Sequence, residues 1–300
     1  MMESRLPTVS LITATFNRSA LLREAIASAA GGFREHLVID AASTDDTLKW
    51  LRETPGIQWS SEPDRGFYDA LNKGLKRTTG EIIGFLNSDD LLAPDALATV
   101  IKAFTDPAVD VVTGQVEFFR AADAGHHETF LMMTAKAELE LSLQTVLRGS
   151  PNINARFFRR SFVDRVGEFD LAYTIASDRE WLLRAVLLNP TQRLVNQPVY
   201  RYREHEGSLT IHSTSRNVAR YRIEHAALAE KHLDGDALTT EQRRFLQSFH
   251  RRETATLAAQ QLRAGELRAF REWAIRGIAT SVLWPLTFAR RCVGMWFDEV

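Results

Sequence analysis

A chain of 300 residues, 45% hydrophobic and 25% charged, fits one large α/β domain or a domain with an appendage, and excludes a disordered or low-complexity polypeptide. With 37 Lys and Arg against 38 Asp and Glu the net charge is −1, which argues against the basic excess of a protein devoted to duplex nucleic acid. The single cysteine, Cys292, rules out a disulfide framework and a Cys-rich metal site, and a reducing compartment is the simplest reading. No secretory leader pattern and no uncharged apolar run of roughly 18 residues is found, so the expected location is the cytoplasm.

The first half alternates strand and helix signals. Val9 to Ile12 predicts a strand, and Ser19 to Ala30 a helix stopped by Gly31-Gly32. His36 to Ile39 is a second strand, followed by a helix start at Ser43-Thr44-Asp45-Asp46. A strand at Ile57 to Trp59, a helix from Tyr68 to Arg77 and a strand from Glu81 to Leu86 come next. Pro94 opens another helix, and Val109 to Val112 is a further strand. This alternation predicts an α/β fold with a mostly parallel central sheet. Phe157-Phe158-Arg159-Arg160 leads into a short helix ended by Gly167, Ser177-Asp178 begins an apolar helix, and Arg193 to Tyr202 reads as a strand. From Ser215 the pattern is almost wholly helical, so the expected division is residues 1–214 as one domain and 215–300 as a helical appendage.

In parallel sheets ligands bind beyond the carboxyl ends of strands. Three polar clusters fall at such ends: Thr13 to Asn17, Asp40 to Thr44, and Asn87 to Asp90. Asn87-Ser88-Asp89-Asp90 offers a hard-cation site, because Mg²⁺ or Mn²⁺ needs few protein oxygens when phosphates and water complete its shell. A capped loop before the Pro94 helix accounts for the same residues. A carboxylate such as Asp40 at a strand end can accept a hydrogen bond from a base or ribose. Capping explains Ser43 to Asp46 but does not explain Asp40. Thr15-Phe16-Asn17 supplies a hydroxyl, an aromatic face and an amide, equally the parts of a turn and helix cap.

Thr15-Phe16-Asn17, Val38-Ile39-Asp40 with Ser43-Thr44-Asp45, and Asn87-Ser88-Asp89-Asp90 resemble glycosyltransferase family 2, which has the GT-A nucleotide-diphospho-sugar transferase fold. The run Ser61-Glu62-Pro63-Asp64-Arg65-Gly66-Phe67-Tyr68-Asp69-Ala70-Leu71-Asn72-Lys73-Gly74 is similar to a bacterial subgroup that builds extracellular and surface polysaccharides. Phe157-Phe158-Arg159-Arg160, Val166 to Asp170 and Ala176 to Glu180 extend the match, which spans roughly residues 7–212. The resemblance implies that Thr15, Phe16 and Asn17 line the base and ribose pocket, that Asp40 reads the base, most often uracil, and that Asp64 lies near the donor. Asn87, Ser88 and Asp89 stand where the family carries its D-x-D motif. Asp89 is then the metal ligand, with Asn87 in place of the usual first aspartate. His205 matches a position that helps hold metal or diphosphate in some relatives, and Asp178 matches the catalytic base. Ile153-Asn154 replaces a histidine–glutamine pair common in the subgroup.

The implied activity is transfer, with inversion, of a hexosyl or N-acetylhexosaminyl group. The donor is a nucleotide sugar, of UDP type, and the acceptor a saccharide or lipid-linked saccharide, with Mn²⁺ or Mg²⁺ as cofactor. A sugar nucleotidyltransferase shares the layered plan but carries a glycine-rich, basic first loop that is missing here. A degenerate nucleotide-sugar-binding module draws support from Asn87, and intact Asp89 and Asp178 speak against it. No G-x-G-x-x-G follows the first strand, and no P-loop is present. The segment 273–296 mixes apolar residues with Arg276, Arg290 and Arg291. As an amphipathic helix it fits the inner face of the cell membrane, or equally a packed helix or a homo-oligomer contact, with Pro285 expected to kink or interrupt it.

Overall fold

The computed structural model describes residues 5–31, 35–121, 127–204, 215–235 and 237–297. The chain divides into two compact units, Met1–Ser208 and Leu209–Val300.

The first unit opens with β1 (Val9–Thr15), α1 (Ser19–Ser28), β2 (Glu35–Asp40), α2 (Thr47–Glu53), β3 (Gln58–Ser61), α3 (Phe67–Arg77) and β4 (Ile82–Phe85). β1 lies between β2 and β4, and β2 carries β3 on its other side, all parallel. Every residue of β1 and β2 is buried, as expected for parallel strands covered on both faces. Leu22, Ile26, Val38 and Leu51 form one core cluster between helices and sheet. On the other face α3 comes so close to β1 that a Cβ on Gly74 would lie 2.4 Å from the Ile12 side chain.

Then follow β5 (Leu91–Leu92), α4 (Ala96–Ala103), β6 (Val111–Ala121), β7 (His127–Met133), α5 (Lys136–Leu139), α6 (Leu143–Arg148), β8 (Arg156–Arg159), α7 (Arg160–Val166), α8 (Ser177–Leu187) and β9 (Gln192–Glu204). The strand order is β3-β2-β1-β4-β8-β6-β9-β5, with β7 on β6. β8 runs antiparallel between β4 and β6, β6 and β9 are parallel, and β5 and β7 are antiparallel to their partners. The sheet is therefore mixed rather than mostly parallel. Parallel crossovers build only its first half, and the short strand β8, which the sequence reads as a helix lead-in, closes the gap. Its insertion depends on Gly84, where a Cβ would lie 2.6 Å from the Phe157 ring. Behind it Phe158, Phe169 and Trp181 pack at centroid distances of 4.9 and 5.6 Å. Arg156 is buried, donates to Thr113 Oγ1 (2.8 Å) and the Leu139 carbonyl (2.6 Å), and is pulled down to about 10 by burial. Helix α4 starts two residues after Pro94, behind a left-handed Asp95.

The second unit is helical: α9 (Ser215–Leu233), α10 (Thr240–Arg263), α11 (Leu267–Thr280) and α12 (Trp284–Phe297). Ala226, Ala255, Leu257, Ala258, Trp273 and Trp284 make its core. Glu230 binds His250 (2.7 Å) and Arg276 (2.6 Å), and despite burial these partners hold its carboxyl down at about 2. Pro285 sits in the first turn of α12 and kinks nothing, because the first turn has no intrahelical acceptor for its missing N–H. The break between α11 and α12 falls just before it, at 281–283.

Candidate functional site

The carboxyl ends of β1, β2 and β3 bring Thr15, Asp40 and Ser61 side by side as successive register partners. Asp40 is 0% exposed. One of its oxygens accepts from the Ser43 hydroxyl; the other accepts from the Ser43 backbone N–H (2.9 Å) and the Ser61 hydroxyl (2.6 Å). Asp40 thus has a structural role that capping patterns do not reveal: it fastens the β2–α2 turn to the end of β3. Three of the roughly four acceptor positions of a carboxylate are filled. Beside it the Thr15 hydroxyl is buried without a partner, an unmet bond of the kind native structures rarely leave.

Phe16 follows with 54% of its surface exposed. Asn17 takes a left-handed φ of 50°, and its side-chain oxygen accepts from the backbone N–H groups of Thr44 (2.8 Å) and Asp45 (3.3 Å). Its own N–H donates to the Ser43 hydroxyl at 2.8 Å. Asn17 therefore staples the β1–α1 loop to the β2–α2 loop. The next residue, Arg18, forms an ion pair with Asp89, joining the end of β1 to the loop after β4.

After β4 the adjacent carboxylates of Asp89 and Asp90 have opposite surroundings. Asp89 is half-buried and holds the Arg18 guanidinium, while its backbone carbonyl accepts from Arg203 Nε at 2.8 Å. Asp90 is buried and accepts from the Tyr200 hydroxyl (2.7 Å), the Arg203 N–H (2.8 Å) and the Asn87 amide (3.0 Å). Burial, then the charge of Asp89, pushes the Asp90 carboxyl up to about 7 against those three donors. The Asn87 side chain is spent on Asp90, and Ser88 is buried beneath the loop. Asp90 and Tyr200 thus set the loop that presents Asp89, a role invisible in sequence because Tyr200 lies on β9.

Asp64 accepts from the Gly66 N–H at 2.8 Å, and Gly66 adopts a φ of 113° that favours glycine, turning the chain into α3. One turn on, the Tyr68 hydroxyl reaches the Ile175 carbonyl (3.0 Å) and hydrogen-bonds Asp178. Asp178 stands in the first turn of α8 and accepts from the Arg179 N–H at 2.7 Å. Burial pushes its carboxyl above the usual aspartate range, partly offset by Arg179 and Tyr68. The neighbouring acids are otherwise engaged: Glu180 is fully buried against Arg184 (2.9 Å), and Asp170 caps the Ala172 N–H (2.9 Å).

His205 lies outside the described residues. Among the described residues no group of three or more His, Cys, Asp or Glu side chains forms a cation cage. One carboxylate already facing a cationic group suits a hard ion whose remaining positions come from phosphate oxygens and water. Sequence reading gave no role to Arg18, Ser61, Tyr68 or Arg203; Ser61 and Tyr68 lie inside a matched motif run and Arg18 adjoins one, whereas Arg203 shows its role only through pairing.

Comparison with known proteins finds glycosyltransferases. An uncharacterized glycosyltransferase of Mycobacterium tuberculosis is 34% identical over 191 residues, covering 61% of this chain and 70% of that protein. A PGL/p-HBAD biosynthesis glycosyltransferase of Mycobacterium bovis is 29% identical over 217 residues, covering 67% and 78%. Among solved structures, S. aureus TarS 1-349 in complex with UDP-GlcNAc superposes with a TM-score of 0.64 at 17% identity, covering 89% of this chain and 90% of that one. The mannosyltransferase PcManGT from Pyrobaculum calidifontis, in complex with GDP-Man and Mn²⁺, gives a TM-score of 0.55 at 18% identity, covering 99% and 89%. These likenesses establish a GT-A-like fold. The family description of glycosyl transferase family 2 matches residues 10–166, more than half the chain, and the chain belongs to that family.

Proposed function

We propose that this glycosyltransferase moves a hexosyl or N-acetylhexosaminyl group, with inversion, from a UDP-sugar to a hydroxyl of a saccharide or lipid-linked saccharide, using Mn²⁺ or Mg²⁺. The observation that carries the reading is the row Thr15–Asp40–Ser61 beside the Arg18–Asp89 pair: an unmet hydroxyl, an incompletely filled carboxylate and a cation-holding carboxylate around one strand-end crevice. TarS in complex with UDP-GlcNAc and with UDP supports a uridine donor, and the Mn²⁺ complex of PcManGT supports the cation. Catalysis belongs, on this reading, to residues 1–214.

The uracil N3–H donates to the free acceptor position of Asp40, and Thr15 meets the donor with its unpaired hydroxyl. Phe16 offers its exposed ring to the base. Asn17, Asp64 and Ser88 hold the loops that frame the pocket, and Asn87 fixes Asp90. Asp89, with His205, would hold the divalent ion in place of the Arg18 guanidinium. Such an ion supplies Lewis acidity where charge develops on the leaving diphosphate. Asp178 takes the proton of the acceptor hydroxyl as that oxygen bonds to the anomeric carbon. The carbon–phosphate-oxygen bond breaks in the same displacement, and its electron pair leaves with UDP. One displacement gives inversion, by the logic of inverting glycosidases. The raised Asp178 carboxyl suits this work, since a base is most effective when its pKa approaches the working pH.

Thermal stabilisation should be screened with UDP, GDP, dTDP and their sugars, with and without Mn²⁺. The reading expects the largest shift from UDP-sugars with Mn²⁺, and slow donor hydrolysis under the same conditions. Preference for GDP would move the base assignment. Binding without hydrolysis or transfer to any acceptor would favour the degenerate module, and pyrophosphate-dependent formation of UTP would favour the nucleotidyltransferase.

A further inference from the structure

The second unit turns the expected polarity of its C-terminal segment inside out. Trp273 and Trp284 are buried, with Trp284 donating to Thr254 Oγ1 at 3.0 Å and stacking on Phe288 at 5.0 Å. A Cβ on Gly277 would lie 2.0 Å from the Trp284 ring, so Gly277 lets α11 and α12 meet at a tight corner. Arg276 is likewise drawn inward, over the Trp273 ring (4.2 Å) and onto Glu230. The aliphatic residues are left outside: Val282 is 91% exposed, Ile275 69% and Leu286 63%, with Ile278, Leu283 and Val293 also exposed. Isolated exposed aliphatics are ordinary, but a contiguous run at one corner marks an interaction surface.

Charge selects the partner. Residues 273–297 contain three arginines and no Asp or Glu, with Asp298 and Glu299 following outside the described residues. Arg290 and Arg291, exposed on α12 one to two turns beyond Leu286, form no ion pair among the described residues. An aliphatic tip backed by guanidinium groups on long apolar stems complements a surface that is hydrocarbon at depth and anionic at its edge. We propose that the α11–α12 corner is a membrane-surface dock, in which Ile278, Val282, Leu283 and Leu286 enter the headgroup boundary of an anionic bilayer and Arg290 and Arg291 bind its phosphates. Among the described residues no helix is long and apolar enough to cross a membrane, so the contact is interfacial. It does not depend on the transfer reading, since vesicle binding needs neither donor nor acceptor.

Co-sedimentation of the full chain tests this, using phosphatidylcholine vesicles and vesicles enriched in phosphatidylglycerol. The chain should partition onto the anionic vesicles and be released by salt. Val282→Glu with Leu286→Glu should lower partitioning about tenfold or more. Arg290→Ala with Arg291→Ala should lower it by about fivefold per arginine on anionic vesicles only. All four side chains are exposed, so thermal midpoint and circular dichroism should match the parent. The proposal is overturned if the chain stays in the supernatant with anionic vesicles, or if the glutamate pair binds as the parent does. It is also overturned if the chain is a dimer in solution that the glutamate pair converts to monomer, which would make the corner a contact between copies.

Discussion

The two halves of the first unit's sheet are built differently. The half β3-β2-β1-β4 is parallel, made by successive crossovers, and its strand ends carry Thr15, Asp40 and Ser61 in register. The other half mixes directions, with Asp178 at the start of α8 and Tyr200 on β9 tied to Asp90. The first is a uniform cradle of backbone-fixed polar groups, the second a patchwork held by long-range contacts. Under the proposed function the first half holds the donor and the second acts on the acceptor, so substitutions in the two halves should fail in different ways.

The largest effect is expected in the mixed half. Asp178→Asn keeps the shape and loses the basicity, and should cost about 10²–10⁴ in kcat with UDP-sugar affinity nearly unchanged. Single-turnover kinetics beside calorimetry would show it; equal loss in binding and rate would erase the distinction between the halves. In the parallel half, Asp40→Ala should weaken UDP binding by about 1–3 kcal/mol and also loosen the β2–α2 turn. Asp40→Asn with Ser43 and Ser61 intact separates these outcomes: lost binding at parental thermal stability assigns Asp40 to the base.

A smaller, graded effect comes from pH. Burial raises the Asp178 carboxyl above 3.8 in the folded protein. The ionised base is lost as pH falls through that raised value, so kcat should drop on acidification at a pH above the ordinary aspartate range. Tyr68→Phe removes a donor that stabilises the ionised form and should move this limb further up. A limb unmoved by Tyr68→Phe would detach Tyr68 from the base. The smallest effect is expected at the Arg18–Asp89 pair. Arg18→Ala frees Asp89 of its guanidinium and should tighten Mn²⁺ binding, by about two- to fivefold as for a partly exposed ion pair, read by titration without donor.

The parallel half was legible because its signals are local. Val9–Ile12, His36–Ile39 and the helices between them follow from runs of apolar residues and capping patterns, and their boundaries shift by only a few residues. The mixed half was not, because β8 owes its existence to partners far along the chain. Phe157-Phe158 reads as a lead-in to α7 until β4 and β6 are seen on either side of it. The candidate site divides the same way. Asp89 and Asp178 stand out in sequence, whereas the filling of Asp40 by Ser61, the cover of Arg18 on Asp89 and the placement of Tyr68 beside Asp178 are tertiary facts. The α11–α12 corner adds a contrast, since periodicity finds an amphipathic segment but cannot say that its tryptophans face inward.

Calorimetric titration of UDP into the parent chain and Asp89→Ala, with and without Mn²⁺, tests most directly the claim that the parallel half forms a metal-assisted donor site. The account predicts that Mn²⁺ strengthens UDP binding to the parent by about tenfold or more, the gain of a charge-assisted contact, and that Asp89→Ala abolishes the Mn²⁺ effect while leaving the weaker metal-free binding in place. Equal Mn²⁺ enhancement in both proteins would contradict it.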